Sequence, residues 1–358
     1  IDEAHFVVEE LKRLKARAIT YSDCTILYRT NAQSRAMEEV LVRIHVPYTM
    51  IGGTRFYERA EIKDILAYLK LIYNPADSHA FLRSINTPKR GLGKTSIDHL
   101  KDYADQKNIS VMDAAIEADK VGSLGAKAAN SFKDFAALCQ GWQNMATIMP
   151  VSDLLQLVLK QSTYLSKLQE DANTSKDELA HGRVENVLEL VAVAKEFEAI
   201  ADEPTLEAFL TRISLISDLD ALKAGEDAVK LMTLHSAKGL EFQNVFLIGL
   251  EQGLLPHVRS LDSPKALEEE RRLMYVGVTR AEERLYLTYA RKRASFMQGN
   301  FGSTNYTIPS CFLAEITPDL LMGLEVQPDI RDIDSQWDRG AGSSGGYSGG
   351  GGAGYGRE

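Results

Sequence analysis

Apolar residues follow two spacings in the N-terminal part of the chain, and each spacing predicts a different kind of element. Helical spacing recurs in three stretches, and short, nearly unbroken apolar runs fall between them. The predicted elements are helices over 3–16, 31–44 and 58–72 and strands over 25–29 and 47–51. Strands that alternate with helices in this way are typical of an α/β domain.

The pattern changes near residue 78 and returns near residue 227. Between these points the sequence contains no convincing strand and predicts a succession of helices separated by turns. The later elements are predicted strands over 229–234, 244–250 and 284–290 and a helix over 265–283. An almost continuous apolar strand beside a crossover helix indicates a parallel sheet that is covered on both faces.

Together these patterns predict a discontinuous α/β domain, 1–77 and 227–325, which is interrupted by an all-helical insertion at 78–226. An insertion of about 150 residues has a common domain size. The last segment, 326–358, is rich in glycine and serine and contains little that could form a core. Such a segment cannot bury enough apolar surface to offset its ordering entropy, so it is predicted to be a flexible, disordered tail.

Composition narrows the class of protein without deciding its function. No apolar run approaches the ~20 residues that cross a bilayer, so no membrane partner is expected. The three cysteines, Cys24, Cys139 and Cys311, show no metal-binding spacing, and buried thiols in a reducing cytoplasm explain them. The net charge of −9 means that any contact with nucleic acid requires local basic or backbone sites.

Three segments carry the most specific signal in the chain. They read ILYRTNAQSR from residue 26, TLHSAKGLEF from residue 233 and EEERRLMYVGVTRA from residue 268. The last two resemble motifs V and VI of superfamily 1 DNA helicases of the UvrD/PcrA/Rep type in sequence, order and spacing, and the first extends the resemblance toward the N-terminus. The resemblance covers residues 1–325, which leaves only the tail outside.

In this family the matching segment is a second RecA-like motor domain with an inserted helical subdomain that binds duplex DNA. The resemblance therefore implies the C-terminal half of an ATP-dependent helicase that moves 3′→5′ on single-stranded DNA and unwinds duplex in repair or replication. In the family a first RecA-like domain, expected before Ile1, carries the P-loop and holds most of the Mg²⁺ ligands. This chain alone is then expected to be inactive as an ATPase.

The resemblance also implies the partners of such a protein. These are ATP with Mg²⁺, single-stranded DNA, the junction of single- and double-stranded DNA, and the N-terminal RecA-like domain of the same protein. Repair proteins or RNA polymerase are expected at the tail, and the expected location is the cytoplasm, in association with the nucleoid. The alternative from a different class is an ATP-independent module that binds DNA or a protein partner.

Candidate nucleotide-binding residues lie in or beside these motifs. Ligands of parallel sheets bind beyond the carboxyl ends of the strands, where both later motifs are expected to place their polar residues. Arg280 is the preferred arginine finger, because a planar, permanently charged guanidinium can meet two phosphate oxygens, and Arg29 is the second candidate. By resemblance, Tyr28 stacks on the adenine and Glu241 accepts a hydrogen bond from the ribose. A surface salt bridge on a Glu-rich helix is the alternative for Arg280.

Residues 88–95, PKRGLGKT, end like a P-loop, but a proline stands where the first glycine is required. A kinase or GTPase site centred on Lys94 is therefore the less favoured hypothesis. A helix–GLG–helix turn is preferred, in which N–H groups of Gly91 and Gly93 hold a DNA phosphate while Lys89, Arg90 and Lys94 add charge. In the helicase family the corresponding turn grips duplex DNA. A plain turn between helices is the remaining alternative.

The resemblance assigns Thr233 and His235 to the track that contacts single-stranded DNA, and Arg55 is a further candidate for this track. His235 alone also suits a general base, but no Ser or Cys nucleophile pattern accompanies it. Phe56 and Tyr57, beside Arg55, are either stacking residues or core residues, and core is the more frequent outcome for one member of such a pair.

A basic run at 291–293 leads from the last predicted strand toward Phe296. Cations pair with phosphates and an aromatic ring stacks on a base, which suits a loop at a DNA junction. In the family a β-hairpin here forms the strand-separating pin. Phe296 is its predicted tip, Phe301 and Tyr306 are alternatives, and an exposed turn without function also fits.

Three consecutive carboxylates, Glu268 to Glu270, do not predict a metal site. Consecutive helical residues point around the helix and not to one centre. The run is interpreted as a solvated helix start that suits the helix dipole and helps to orient the arginines. No metal ligand is therefore assigned in this chain.

Overall fold

The computed structural model describes residues 1–175, 178–220, 227–295 and 303–322. The chain separates into two compact units, Ile1–Pro309 and Ser310–Glu358. The predicted tail lies outside the described residues. Within the described part, no helix is both long enough and apolar enough to cross a membrane.

Five strands form a parallel sheet in the first unit, in the order β2-β3-β1-β4-β5. They are β1 (Cys24–Tyr28), β2 (Tyr48–Met50), β3 (Val229–Thr233), β4 (Phe242–Leu247) and β5 (Ala281–Leu287). The central strand β1 pairs with β3 on one side and with β4 on the other, so segments from before and after the helical insertion build one sheet. The prediction of a discontinuous, parallel α/β fold is confirmed.

Strand β1 is covered on both faces, since all five of its residues are buried. Its Ile26 shares an apolar cluster with Leu11 of α1 (Asp2–Ala16) and Val40 of α2 (Ser34–Arg43). The cluster also contains apolar side chains of β3 and β4. The nearly unbroken apolar runs of the sequence therefore correspond to strands that are buried on both sides.

Between β2 and β3 the described residues form only helices and turns. The helices are α3 (Ala60–Tyr73), α4 (Ser78–Ser84), α5 (Lys94–Lys107), α6 (Val111–Ile116), α7 (Ala126–Ala146), α8 (Val151–Gln161), α9 (Tyr164–Thr174), α10 (Glu178–Ile200) and α11 (Leu206–Asp220). Their buried side chains form a second apolar cluster around Phe81, Phe135 and Phe209. The predicted all-helical insertion is confirmed in the described residues, and it has a core of its own.

Helix α3 belongs to this helical core although it precedes the predicted boundary at residue 78. Tyr68 of α3 packs edge-on against Trp142 of α7, with ring centroids 5.7 Å apart. Ile62 and Ile65 of α3 lie in the same cluster. Apolar packing of the insertion therefore begins before the predicted boundary, which itself stays a prediction.

The last crossover helix, α12 (Pro264–Val278), is shorter than predicted, because β5 begins within the segment predicted as helix. The helix end packs closely on the sheet: a Cβ on Gly277 would lie 2.5 Å from the side chain of Leu234. The helical prediction fails here because β5 is an edge strand whose first polar residues face solvent. A polar start of this kind resembles the exposed face of a helix.

Beyond β5 the chain forms an antiparallel hairpin of β6 (Lys292–Ser295) and β7 (Ser303–Tyr306). The hairpin that was expected at this place is thus confirmed. Residues 296–302, which stand between the two strands in the sequence, lie outside the described residues, and so do Phe296 and Phe301, the two phenylalanines that were candidates for the tip.

The second unit is described from Ser310 to Met322. Its short helix α13 (Cys311–Ala314) begins at Ser310, whose side chain accepts a hydrogen bond from the Phe312 N–H. A 3₁₀ turn follows at Pro318–Leu320.

Candidate functional site

Arg29 follows the last residue of β1 and is held by a carboxylate of α12. Its Nε lies 3.1 Å from both carboxylate oxygens of Glu270, and its Nη2 lies 2.8 Å from Oε1. Both side chains are largely buried, with 11% and 6% of their surface exposed. A two-point contact of this kind fixes the plane of the guanidinium. The other two glutamates of the run pair instead with arginines three residues later on the exposed face.

Glu270 also connects Arg29 to the helical insertion. Its Oε2 accepts a hydrogen bond from the backbone N–H of His257 at 3.0 Å. The His257 ring reaches Glu185 of α10, with Nε2 3.2 Å from Oε1, and Arg259 donates to the same oxygen at 3.2 Å. Burial opposes ionisation of Glu185, but the hydrogen bond and charge of His257 and the charge of Arg259 outweigh it and lower the pKa of the carboxyl. An ionised carboxylate of the insertion therefore faces the segment that holds Glu270.

Arg280 lies in the turn between α12 and β5 and not on the helix that the sequence predicts. Its Nε donates to the Val276 carbonyl at 2.9 Å and its Nη1 donates to the Leu240 carbonyl at 2.6 Å. Its Nη2 donates to the Thr279 hydroxyl at 3.0 Å. Among the described residues these partners are all uncharged, so the alternative of a surface salt bridge does not fit. The guanidinium is held in place while its charge is not neutralised.

The structure places the predicted nucleotide residues in two pairs at opposite ends of the strands. The Phe242 N–H of β4 donates to the Arg280 carbonyl at 2.9 Å, and the exposed Glu241 directly precedes β4. Arg29, in contrast, follows the carboxyl end of β1. At ~3.3 Å per residue, β4 separates the two places by about 20 Å. The expectation of carboxyl-end positions is wrong for Arg280 and Glu241, because crossover connections return the chain to the amino ends.

Tyr28, the last residue of β1, is buried in the apolar cluster of the sheet, with 1% of its surface exposed. Burial, together with the charge of nearby Glu38, raises the pKa of its hydroxyl well above the ordinary value. The ring therefore presents no exposed face to an adenine in this arrangement. Its stacking role, which the resemblance implies, stays a prediction that requires the packing around β1 to open.

The residues predicted for the single-strand track lie at the carboxyl ends of the neighbouring strands β3 and β2: Thr233 ends β3, His235 follows it, and Arg55 follows β2. Thr233 Oγ1 lies 3.0 Å from Ser236 Oγ and accepts the Ser236 N–H at 3.2 Å, which closes the turn that carries His235. Gly52 approaches this turn so closely that a Cβ would lie 3.0 Å from Ser236 Oγ. The structure thus brings the three residues to one edge of the sheet, with His235 exposed.

Phe56 and Tyr57 are core residues, with 0% and 5% of their surface exposed and ring centroids 5.1 Å apart. The Tyr57 hydroxyl donates to Glu39 at 2.7 Å. The stacking alternative for this pair is therefore wrong. Arg55 beside them lies over the ring of Tyr48, 5.6 Å from its centroid, and is half-buried.

The GLG turn joins two helices, as the preferred interpretation predicts. Helix α4 precedes it, and α5 begins at Lys94 with Gly93 as its N-cap and no side chain bonded to the first turn. Gly91 has a φ of +75°, and Asn86 holds the turn by donating from Nδ2 to the Leu92 carbonyl at 2.9 Å. Both glycines and Lys94 are exposed. A helix stands where a P-loop requires a buried strand, so the P-loop alternative is wrong.

Arg90 does not add charge to the surface of this turn, contrary to the prediction. Its Nη1 donates to the carbonyls of Ser84 and Ile85 at 2.9 and 2.7 Å, and its Nη2 donates to the Tyr68 hydroxyl at 2.8 Å. The guanidinium also lies 4.8 Å from the centroid of the Phe135 ring. Arg90 therefore anchors the turn to the helical core, and the exposed lysines on either side supply the remaining charge.

The segments that carry these residues match one family of proteins. The model of the UvrD-like helicase C-terminal domain matches residues 1–292. The chain belongs to this family. The five-stranded unit is accordingly a RecA-like domain, and the helices between β2 and β3 form its inserted subdomain.

Relatives of this UvrD-like chain carry the name ATP-dependent DNA helicase PcrA. The protein of Bacillus subtilis (strain 168) is 44% identical over 336 residues, which cover 92% of this chain and 44% of the relative. The protein of Leuconostoc citreum is 44% identical over 327 residues, covering 89% and 42%. That of Staphylococcus aureus (strain Mu50) is 42% identical over 324 residues, covering 89% and 43%. The chain spans less than half the length of these relatives.

The hairpin of the UvrD-like chain has its described aromatic at the base and not at the tip. Tyr306 ends β7 opposite Lys292, whose Nζ lies 4.7 Å from the centroid of its ring. The Tyr306 side chain is 78% exposed. Its candidacy for the tip is wrong, because the turn of the hairpin lies at the other end of both strands. The preferred candidate, Phe296, and Phe301 fall outside the described residues.

The described residues of this UvrD-like chain contain no group of three His, Cys, Asp or Glu side chains that could hold a metal ion. At Arg280, three oxygens accept hydrogen bonds from the guanidinium, so the group that a ligand would meet there is a cationic hydrogen-bond donor. This donor set suits an anion, such as a phosphoryl group, better than it suits Mg²⁺.

The contact between Glu185 and His257 was not predicted from the sequence. The two residues are 72 positions apart, and each by itself resembles an ordinary exposed polar residue. Periodicity identifies the elements but not which polar residues meet when the insertion packs on the RecA-like domain. The pairing therefore emerges only from the fold.

Proposed function

We propose that this chain is the C-terminal motor half of an ATP-dependent DNA helicase that moves 3′→5′ on single-stranded DNA and unwinds duplex DNA. The observation that carries the proposal is the guanidinium of Arg280, which uncharged oxygens hold beside Glu241. Membership of the UvrD-like family and the helicase name of the relatives support the same proposal.

Arg280 acts in this proposal as an arginine finger that stabilises negative charge on the transferred phosphoryl group. Its three hydrogen bonds restrict the side chain in advance, so less entropy is lost when the charge meets a phosphate. Fingers of this kind contribute ~10³–10⁵ in rate. Arg29, at the other end of the strands, is the second cation and meets the nucleotide at a different point from Arg280. Glu241 accepts a hydrogen bond from the ribose.

The first RecA-like domain of the full-length protein supplies the phosphate cradle and the ligands of Mg²⁺. Within the described part, this chain offers neither, since its GKT sequence begins a helix after a turn. ATP therefore binds between two domains, and closure around it steps single-stranded DNA across them. The chain alone is proposed to hydrolyse no ATP.

Two surfaces contact DNA in this proposal. The exposed turn at His235, with Thr233 and Arg55, contacts the single strand at the sheet edge. The start of α5 offers unbonded N–H groups, the positive end of a helix dipole and the charge of Lys94, which together suit a duplex phosphate without sequence preference. The hairpin of β6 and β7 separates the strands at the junction.

The proposed setting is DNA repair or replication in the cytoplasm, at the nucleoid. Repair proteins or RNA polymerase are the proposed partners of the segment after residue 325. An ATP-independent DNA-binding or partner-binding module is the competing function. Under that alternative Arg280 and Arg29 are dispensable, whereas changes in the GLG turn still weaken DNA binding.

The test compares DNA-stimulated ATP hydrolysis by the full-length protein and its Arg280→Ala variant. We expect kcat to fall by ~10³-fold or more while binding to single-stranded DNA is retained. Arg272→Ala is the matched control, because Arg272 lies on α12, the helix that precedes Arg280, is 72% exposed and forms a local ion pair with Glu269. Hydrolysis near the wild-type rate in Arg280→Ala would reject the finger and favour the ATP-independent module.

A further inference from the structure

Arg29 belongs to a hydrogen-bonded network that reaches the helical insertion. Glu270 holds the Arg29 guanidinium at two points, and the His257 N–H binds the second carboxylate oxygen of Glu270. The His257 ring, 3% exposed, meets Glu185 of α10. The side chain of Thr30, the residue after Arg29, also helps to lower the pKa of the Glu185 carboxyl. The network therefore connects the end of β1 to α12 and α10.

A carboxylate at position 270 matches the guanidinium in a way that an amide does not. Both of its oxygens accept, and they lie opposite the Nε and Nη2 donors of Arg29. A glutamine of the same size would turn an NH₂ group toward one donor or toward the His257 N–H. Because the pair is largely buried, the guanidinium would then lose the charge of Glu270 and the two-point contact that fixes its plane.

Helix α10 contacts the RecA-like domain through three carboxylates in the described residues, Glu185, Glu189 and Glu196. Glu185 meets His257 and therefore touches the Arg29 network. Glu189, one turn later, pairs with buried Arg35 at 2.8 Å. The ion pairs of Arg35 all lie on α2 or α10. A shift of the insertion breaks the contacts of α10 with His257 and with Arg35, but only the loss of the Glu185 contact affects Glu270, through His257.

We propose that Glu270 is a positioning residue for Arg29 and that Glu185 makes this positioning depend on docking of the helical insertion. With the insertion docked, Glu185 fixes His257, whose backbone N–H fixes the Glu270 carboxylate. With the insertion displaced, Arg29 loses its fixed orientation and ATP hydrolysis slows. The inference rests on the proposed function for the role of Arg29 toward ATP, whereas the network itself is independent of it.

The positioning role is tested in the full-length protein with Glu270→Gln, Arg29→Ala and the double variant. Glu270→Gln should lower kcat of DNA-stimulated hydrolysis by about 10- to 100-fold and change KM for ATP by less than about threefold. The double variant should be no slower than Arg29→Ala, because Glu270 acts through Arg29. Glu269→Gln, one residue away and exposed, should match the wild type. Losses that multiply in the double variant would overturn the positioning role.

The dependence on the insertion is tested with Glu185→Gln and its matched control Glu189→Gln. Each variant removes one carboxylate of α10 from the same interface. We expect Glu185→Gln to lower kcat by about 3- to 10-fold and to have no further effect in an Arg29→Ala background. Glu189→Gln should leave kcat near the wild-type value. Equal losses in the two variants would assign the effect to docking as a whole and overturn the route through His257.

A second readout needs no ATP. The Nε–Hε signal of Arg29, identified by its loss in Arg29→Lys, reports its hydrogen bond to Glu270 in this chain by NMR. It should shift in Glu270→Gln and in Glu185→Gln and stay unchanged in Glu189→Gln. An unchanged signal in the first two variants would overturn the network alone. Absence of DNA-stimulated hydrolysis in the wild-type full-length protein would instead reject the proposed function, and with it the regulatory role.

Discussion

Arg293 of the hairpin donates two hydrogen bonds to the carboxylate of Glu251, from Nε at 2.8 Å and from Nη2 at 2.7 Å. The same Nη2 lies 2.7 Å from Glu3 of α1. The two carboxylates are 2% and 6% exposed, and they outweigh the effect of burial and raise the pKa of Arg293. The contact fixes the base of the hairpin to the RecA-like domain, a structural role that differs from the phosphate contact predicted for the basic run.

We expect Arg293→Met to destabilise the chain. The change leaves two buried carboxylates without their cation, and breaking such a contact costs about 3 kcal/mol, since the partly exposed guanidinium puts it at the lower end of the range. Urea unfolding of the two proteins measures the difference. Arg291→Met, two residues earlier and exposed, is the control and should stay within about 0.5 kcal/mol of the wild type. Equal stability of the two variants would show that the contact does not anchor the hairpin.

A second prediction concerns Gly249, which follows β4 with a φ of +71°. A Cβ at this position would lie 2.2 Å from Nε2 of Gln33. The Oε1 of Gln33 accepts the backbone N–H groups of Arg29 and Thr30, at 3.0 and 2.8 Å. Gly249→Ala therefore combines backbone strain with displacement of the side chain that shapes the turn after β1.

Gly253→Ala separates the two effects of this change. Gly253 also has a positive φ, +95°, but nothing lies within 4 Å of its added Cβ. Backbone strain alone should cost about 1–2 kcal/mol in Gly253→Ala. Gly249→Ala should cost about 1–3 kcal/mol more, because hydrogen bonds of Gln33 are lost. Denaturant unfolding gives both values, and equal losses would mean that Gln33 moves aside without cost.

The fold could be predicted from the sequence wherever the apolar pattern was strong. The buried run of β4 and the helical spacing of α3 identify their elements directly. The pattern was misleading at Ala281, where an exposed edge strand begins with polar residues. The local pattern of apolar and polar residues shows which residues are exposed. A short run of exposed polar residues fits the end of a helix and the start of an edge strand equally well.

The candidate site could be predicted only in part, for a geometric reason. The motifs identify Arg280 and Arg29 as candidates, but they do not show at which end of the sheet each residue lies. That depends on the direction of the crossover connections. Contacts such as Arg90 with Tyr68, or Glu185 with His257, join distant parts of the chain. Their polar residues look like surface residues in the sequence, and only packing shows them to be anchors.

A third prediction concerns the cysteines. Burial raises the pKa of Cys24 to about 12 and that of Cys139 to about 12. The thiolate is the reactive species, so at pH 8 these two should react with a thiol reagent at least ~10³-fold more slowly than in denaturant. Cys311, half-buried, is the internal comparison. Rapid reaction of two or more thiols in the native chain would contradict the buried positions.

The same pKa values predict the direction of a change in stability with pH. The folded-state pKa of each thiol is raised above its unfolded value, so burial of the neutral thiol contributes stability that is complete below about pH 8. That contribution should be lost as the pH rises toward 12. Cys24→Ala should therefore reduce the loss of stability between pH 8 and pH 11 measured by urea unfolding. An unchanged pH dependence in this variant would show that Cys24 does not titrate differently on unfolding.

The GLG turn gives the last prediction, which concerns salt. Lys94, at the start of α5, is proposed to meet a duplex phosphate, so Lys94→Gln should weaken binding to duplex DNA with a 3′ single-stranded tail. The slope of log K against log salt should fall in magnitude by about 0.9, the value for one lost phosphate contact. Lys107→Gln, at the other end of the same helix and exposed, removes the same charge and should leave the slope unchanged. Equal slopes in both variants would place the duplex elsewhere on the insertion.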